Sequence, residues 1–80
     1  MSETEYHVLR HAPPEPDRIY SPRIGLRVHS SAAAIDDVVK RMIEVGWIVE
    51  LDRRIISRTP AGQRALDDEE RYRAALRGTP

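Results

Sequence analysis

Two histidines are the first residues whose type and spacing could carry chemistry. His7 and His11 lie four positions apart in a segment with a helical pattern, so their imidazoles would share one face, as a pair of metal ligands does. The chain has no cysteine, and its third histidine is remote in sequence. Since a metal site needs further ligands, we expect a solvated histidine pair and no metal site.

Catalytic residue types are present, but no motif brings them together. The serines have no plausible base beside them, no glycine-rich segment matches a phosphate-binding loop, and no pair of carboxylates can be assigned to a cleft. The absence of cysteine also removes a thiol nucleophile and a disulfide framework. The sequence therefore predicts a protein that is not an enzyme and that uses no cofactor.

The charges of the chain are balanced in total but segregated along its length. Thirteen Lys and Arg stand against thirteen Asp and Glu, for a formal net charge of +0. Residues 1–20 have a net charge of −2, residues 21–64 of +3 and residues 65–80 of −1. The balance is unlike that of a polycationic nucleic-acid-binding tail. A surface that binds anions is expected in the middle segment.

Length and composition indicate one small globular domain over residues 1–80. The apolar fraction of 40% and the charged fraction of 32% are ordinary for a folded domain. An 80-residue chain has a small core, so burial against a second copy would help to stabilise it. No apolar run approaches the roughly 18 residues of a membrane span, and the N-terminus is acidic. We expect a cytoplasmic protein that makes no membrane contact.

Local signals predict a helix-rich chain with one hairpin. Ser2 and Glu5 have the spacing of a capping box, and Ser21 followed by Pro22 is typical of a helix start. The alternation in RIGLRVH also permits a strand after Pro22. The predicted elements are helices over 3–11, 22–28, 31–45 and 60–77, a short strand over 18–20 and a hairpin over 47–58.

The helix over 31–45 has the clearest pattern. Its apolar residues follow helical spacing and form one face with charged residues opposite: Ile35, Val38, Val39 and Met42. Gly46 is placed to end it, since glycine accepts a left-handed cap. WIVEL is rich in strand-forming residues, with Trp47 expected in or near the core, and Arg53 and Arg54 are expected at the exposed tip of the hairpin. Gly25 is expected where the second helix passes close to the third.

The predicted order of elements is α-β-α-α-β-β-α, an α+β fold that is mainly helical, and it is the order of a winged helix-turn-helix. Residues 21–66 resemble the core of bacterial winged-helix regulators, most closely the multiple-antibiotic-resistance-regulator and PadR types. Met42–Ile48 fits the family's exit from the recognition helix, and Arg58–Gly62 fits the motif after the wing, with Arg58 in place of leucine. His29 stands where the family's turn usually has glycine. The resemblance implies a DNA-binding transcriptional regulator.

A recognition helix enters the major groove with its N-terminal half, which defines the candidate contacts with duplex DNA. Those on the helix are Ser31, Ala32, Ala33, Asp36, Asp37 and Lys40. Those on the wing and towards the DNA backbone are Arg23, Arg27, Arg53, Arg54 and Arg58. Adjacent aspartates are unusual opposite phosphates and more often face solvent or protein. The alternative function is therefore a protein-interaction winged helix, such as an adaptor, a phage-type modulator or an assembly subunit, without strong DNA binding.

The last predicted helix combines a charge run with an apolar strip. Acidic residues 67–70 precede three arginines at spacings that allow i, i+3 and i, i+4 pairs. The strip consists of Ala65, Tyr72, Ala75 and Leu76. This strip could pack on the first helix or pair with a second copy, and we expect a homodimer through the terminal helices. A DNA-binding protein of this kind would be associated with the nucleoid.

Overall fold

The computed structural model describes residues 1–78 as four helices and a small antiparallel sheet, which confirms a mainly helical α+β fold. The elements are α1 (Glu3–His11), β1 (Ile19–Tyr20), α2 (Pro22–Val28), α3 (Ala32–Glu44), β2 (Ile48–Asp52), β3 (Ile55–Arg58) and α4 (Pro60–Gly78). Their order is the predicted one. The segment after Pro22 that could also have been a strand is helical. No helix within residues 1–78 is both long and apolar enough to cross a membrane.

The sheet has the order β1-β3-β2, so the short first strand joins the outer side of the hairpin. Ile19 pairs with Ile56 and Tyr20 with Ile55, both antiparallel. The buried hydroxyl of Ser57 donates a hydrogen bond to the carbonyl oxygen of Asp17, just before β1. These contacts hold the loop that follows α1 against the hairpin. The local sequence pattern does not predict them, because they join residues that are distant in the chain.

Three serines stand at helix starts, and two of them cap the helix with their side chains. Ser2 and Glu5 form the complete capping box of α1, and the Ser31 hydroxyl accepts a hydrogen bond from the Ala34 N–H at 3.2 Å. Ser21 differs, because it has helical dihedral angles and makes no side-chain capping bond. It is instead buried, and its N–H donates to the carbonyl of Arg54 at 2.8 Å.

The core lies where α1, α2, α3, the sheet and the start of α4 meet. All four residues of the predicted apolar face of α3 are buried, and Val28 and Trp47 are partly buried against the same cluster. The buried apolar side chains are Tyr6, Val8, Leu9, Ala12, Ile24, Ile35, Val38, Val39, Met42, Ile48, Ile56 and Leu66. A Cβ on Gly25 would lie 2.8 Å from the carbonyl oxygen of Ser30 and 3.4 Å from Ile35 Cγ1. The small residue therefore permits the close approach of α2 to the start of α3, as predicted.

The two sequence motifs that flank the hairpin meet at one junction. Gly46 has a φ of 85° and ends α3, and the N–H of Trp47 donates to the Met42 carbonyl at 2.9 Å, as in a Schellman cap. The Thr59 hydroxyl accepts from the Gly62 N–H at 3.0 Å and donates to the carbonyl of Gly46 at 2.5 Å. A Cβ on Gly62 would overlap the carbonyl oxygen of Trp47. Glycine at position 62 is thus required by the contact between α4 and the start of β2.

The terminal helices are joined by an ionic cluster centred on Arg73. Its guanidinium lies 3.9 Å from the centre of the Tyr6 ring and bonds to Glu3 at 2.6 Å and to Glu69 at 3.0 Å. The bond to Glu3 lowers the pKa of that carboxyl and raises the pKa of Arg73. The N-terminal ammonium also contacts Glu69 at 3.5 Å. The cluster therefore engages Glu3 and Glu69, one acidic residue from each end of the chain, and joins α1 to α4.

Candidate nucleic-acid interface

The N-terminal half of α3 presents small and polar side chains to solvent. Ser31, Ala32, Ala33, Asp37 and Lys40 are exposed, whereas Asp36 is half-buried. A hydroxyl has one proton to donate and two lone pairs. The cap uses one lone pair of Ser31, so its O–H can still donate to an external oxygen.

The tip of the β2–β3 hairpin consists of Arg53 and Arg54, between the paired residues Asp52 and Ile55. Arg54 has a positive φ of 61°, a conformation common in two-residue hairpin turns. The Asp52 carboxylate accepts a hydrogen bond from the Arg53 N–H at 2.7 Å. Together with the bond from Ser21 to the Arg54 carbonyl, this contact fixes the tip beside the start of α2.

An ion pair connects the hairpin tip to α3. The guanidinium of Arg54 lies 3.6 Å from a carboxylate oxygen of Asp36, and both side chains are partly accessible. Two residues that the sequence predicts as separate contacts are therefore partners of each other. The pair neutralises one of the two aspartates on this helix and leaves Asp37 as the other.

Three shallow cavities run side by side across this face. The first, of about 470 Å³, lies between the start of α2 and the start of α3 and includes Tyr20, Arg23 and Ala32. The second is lined by Tyr20, Arg53 and Arg54. The third lies between the hairpin tip and α3, with Lys40 and both arginines of the tip in its wall. The cavities share Tyr20 and the two arginines of the hairpin tip, so they adjoin one another between α2, the tip and α3.

The distribution of ion pairs leaves this surface basic. Among the described residues, Arg23, Arg27, Lys40 and Arg53 form no ion pair within 4.0 Å, and all four are exposed. The other ion pairs of residues 1–78 lie on α1 and α4, where the arginines of α4 bond to the acidic run as predicted. These four basic residues are thus exposed and without ion pairs, whereas three acidic residues of the flanks, Glu3, Asp68 and Glu69, bond to arginines of α4.

Arg58 has a different role from the predicted DNA contact. Its guanidinium donates hydrogen bonds to the carbonyl oxygens of Leu9 at 2.9 Å and Ala12 at 2.7 Å, and to Gln63 Oε1 at 2.8 Å. It is partly buried, and burial lowers its pKa. Carbonyls at the end of a helix have no partner within the helix, so Arg58 satisfies the end of α1 and joins it to α4.

Sequence reasoning missed two apolar residues of this face. Leu26 is 81% exposed and Tyr20 is 44% exposed, on either side of Arg23. Leu26 falls opposite the buried Ile24 and Gly25 in the short helix α2. The predicted helix over 22–28 already implied this exposure, because Leu26 cannot share a helical face with both Ile24 and Gly25.

His7 contacts Glu3 at 3.4 Å. Within residues 1–78, no group of three or more His, Cys, Asp or Glu is arranged to hold a metal ion.

No protein-family model, no curated protein and no solved structure matches the chain. The physical character of the surface along α3 is therefore the basis for assigning a function.

Proposed function

We propose that this chain is a small winged-helix protein that binds duplex DNA and regulates transcription. The observation that supports the proposal is a set of exposed basic residues without ion pairs on α2, on α3 and at the hairpin tip: Arg23, Arg27, Lys40 and Arg53. In this proposal α3 is the recognition helix and the β2–β3 hairpin is the wing. Basic side chains supply the affinity for phosphates, and α3 supplies contacts with base edges.

The exposed residues at the start of α3 suit a helix that approaches bases closely. Ala32 and Ala33 are small, and a methyl group can contact the methyl of thymine. Ser31 keeps its proton available for a phosphate or a base acceptor, because its capping bond uses only a lone pair. Lys40, two turns further along, can reach a flanking phosphate.

The Asp36–Arg54 pair reduces the electrostatic conflict with DNA. An isolated aspartate on α3 would repel the phosphates, but Asp36 carries a compensating guanidinium at 3.6 Å. Asp37 is the remaining exposed acid, and a carboxylate can accept a hydrogen bond from the cytosine amine. We expect modest affinity that depends strongly on salt.

Fluorescence anisotropy with a labelled duplex, measured over a series of salt concentrations, tests the proposal. Each phosphate contact contributes about −0.9 to the slope of log K against log salt concentration, so four basic residues predict a slope of roughly −4. Arg53→Gln should weaken binding and make the slope about 1 unit shallower. Arg64→Gln, an exposed arginine on α4, is the matched control. No binding at low salt, or binding that is independent of salt, would refute the proposal.

The exposed Leu26 favours a second candidate, a winged helix that binds a protein. An 81% exposed leucine beside Tyr20 and Ala32 gives this face an apolar patch of the kind used in protein interfaces. Leu26→Ser separates the candidates. It removes no basic side chain, so it should leave the salt dependence of DNA binding unchanged, whereas it should weaken a protein complex formed through this patch.

We also propose that the chain forms a homodimer through its terminal helices. Tyr72 and Leu76, one turn apart on α4, are 61% and 60% exposed, and burial of such residues would add to a small core. Sedimentation velocity should give the mass of two chains, and Tyr72→Ser with Leu76→Ser should give the mass of one. A monomer at all concentrations would contradict the dimer.

A further inference from the structure

All three histidines of the chain border one cavity together with two arginines. The cavity, of about 310 Å³, is open to solvent and lies between α1 and the end of α2. Its lining residues are His7, Arg10, His11, Arg27, Val28 and His29. The sequence spacing accounts only for the two histidines of α1. The fold adds Arg27, near the end of α2, and His29, the C-cap of that helix, both distant in sequence.

The conformation of the turn directs a histidine to this place. His29 is the C-cap of α2 with φ 56° and ψ 39°, in the left-handed region. Glycine adopts that conformation at the lowest steric cost, because it has no Cβ. With histidine there, the turn contributes an imidazole to the cavity.

The positive charges of the cavity interact with one another. Partial burial lowers the pKa of His11, and the charges of Arg27, Arg10 and His7 lower it further. The groups that face the imidazoles are Arg10 on α1, Arg27 on α2 and Glu3 on α1, whose carboxylate contacts His7. Glu3 also bonds to Arg73, outside the cavity. An anion placed among these groups would relieve their mutual repulsion.

The side-chain chemistry fits an anion and not a cation. Two guanidinium groups would repel a metal ion, and no group of three or more metal-ligand side chains is arranged for one among the described residues. A guanidinium presents paired N–H donors that match two oxygens of a phosphate. A protonated imidazole adds an N–H donor on each ring nitrogen.

We propose that the histidine–arginine cavity of His7, Arg10, His11, Arg27 and His29 binds a phosphate group, more tightly as the pH falls. An imidazole becomes a cationic donor as the pH falls from about 8 to about 5, so the cavity gains charge as it is acidified. The lowered pKa of His11 places its protonation in the lower part of that range. The phosphate group could belong to a free phosphorylated molecule or to a DNA backbone passing the turn before α3. The site itself does not depend on DNA binding.

A titration with sulfate followed by histidine NMR tests the site. Sulfate is a tetrahedral dianion like phosphate, and its charge is constant over this pH range. The three Cε1–H signals report on the three histidines directly. Sulfate should shift all three signals, raise all three apparent pKa values and bind about tenfold more tightly at about pH 5 than at about pH 8. Shifts no larger than those caused by chloride at equal ionic strength would overturn the proposal.

Two exposed arginines allow a matched set of variants. Arg10→Gln combined with Arg27→Gln should weaken sulfate binding at least about fivefold, because the variant keeps every histidine and removes both guanidiniums. Arg64→Gln, outside the cavity, should bind sulfate like the unmodified chain. Equal affinity of the double variant and the control would overturn the assignment of the arginines. Each variant's amide spectrum shows whether it is folded.

A second titration identifies the source of the phosphate. If a duplex shifts the three histidine signals and sulfate competes with it, the cavity holds a backbone phosphate. If the duplex binds without shifting them while inorganic phosphate does shift them, the ligand is a free phosphorylated compound. Both outcomes support the phosphate site, and a chain that fails to bind duplex can still pass the sulfate test. Failure of the proposed DNA-binding function is thus distinguishable from failure of this inference.

Discussion

Replacement of Arg58 by methionine should destabilise the protein without acting on a DNA-binding surface. Methionine approximates the length and apolar stem of arginine but has no strong donor. The substitution removes the hydrogen bonds to the carbonyls of Leu9 and Ala12 and to Gln63. It leaves the last carbonyls of α1 without their partner, and Ala12 is fully buried.

The expected loss is a difference between opposing effects. A buried carbonyl left unpaired costs about 1 kcal/mol or more, so two carbonyls cost about 2 kcal/mol. The lost charged donor adds to this cost, while the variant no longer has to desolvate a guanidinium. We expect a net loss of about 2 kcal/mol from a domain whose unfolding free energy is roughly 4–12 kcal/mol. The melting temperature should fall by roughly 10 °C.

Urea unfolding followed by fluorescence of Trp47, the only tryptophan, measures this loss. Arg53→Met at the exposed hairpin tip is the matched control and should change stability by less than about 0.5 kcal/mol. If Arg58→Met unfolds at the same urea concentration as the control but loses DNA affinity, the structural role argued for Arg58 is wrong. Equal stability without any loss of DNA affinity would refute the reasoning as well.

Three further perturbations test separate parts of the fold. Gly62→Ala should destabilise the protein by about 3 kcal/mol in urea unfolding, because the added Cβ overlaps Trp47, although helix propensity alone would favour alanine. Gly78→Ala, whose Cβ meets no neighbour, is the control. A Gly62→Ala variant that is more stable than the unmodified chain would contradict the close contact between α4 and the start of β2. His29→Gly should stabilise the protein by about 0.5 kcal/mol, since φ is 56°, and a lower melting temperature in calorimetry would show that the left-handed residue is not strained. A hydrogen bond from the backbone of Ser2 lowers the pKa of Glu5 below its ordinary value of 4.5. The contribution of Glu5 to stability is therefore present above about pH 4.5 and is lost as the pH falls through the lower folded-state pKa. Glu5→Gln should weaken this loss of stability at acid pH in thermal melts, and an unchanged pH dependence would argue against the capping box.

Much of the local structure could be predicted from the sequence because short-range physics determines it. The apolar face of α3 follows from helical spacing, and the four residues on that face are all buried. Ser2, Ser31 and Thr59 start helices because their side chains satisfy amides within three residues. The prediction that Ser21 caps α2 with its side chain was wrong, because Ser21 is held by a backbone hydrogen bond to Arg54 of the hairpin, which is distant in sequence.

The candidate DNA surface was predictable as a set of residues but not as an arrangement. Net charge by segment indicated that the middle of the chain would carry the basic surface, and its lysine and its arginines other than Arg58 are exposed. The sequence could not indicate that Arg54 pairs with Asp36, or that Arg58 turns towards α1. Both facts depend on which elements lie beside the hairpin.

By itself, the sequence determined where helices and strands begin and end, which faces are apolar and where charge accumulates, because these depend on residues within one or two turns of each other. Only the tertiary structure decided the partners. It joined β1 to β3, placed Arg58 on the end of α1 and brought His29 and Arg27 to the two histidines of α1. Such contacts join residues that are distant in the chain, so they arise only when packing of the core fixes the elements against one another.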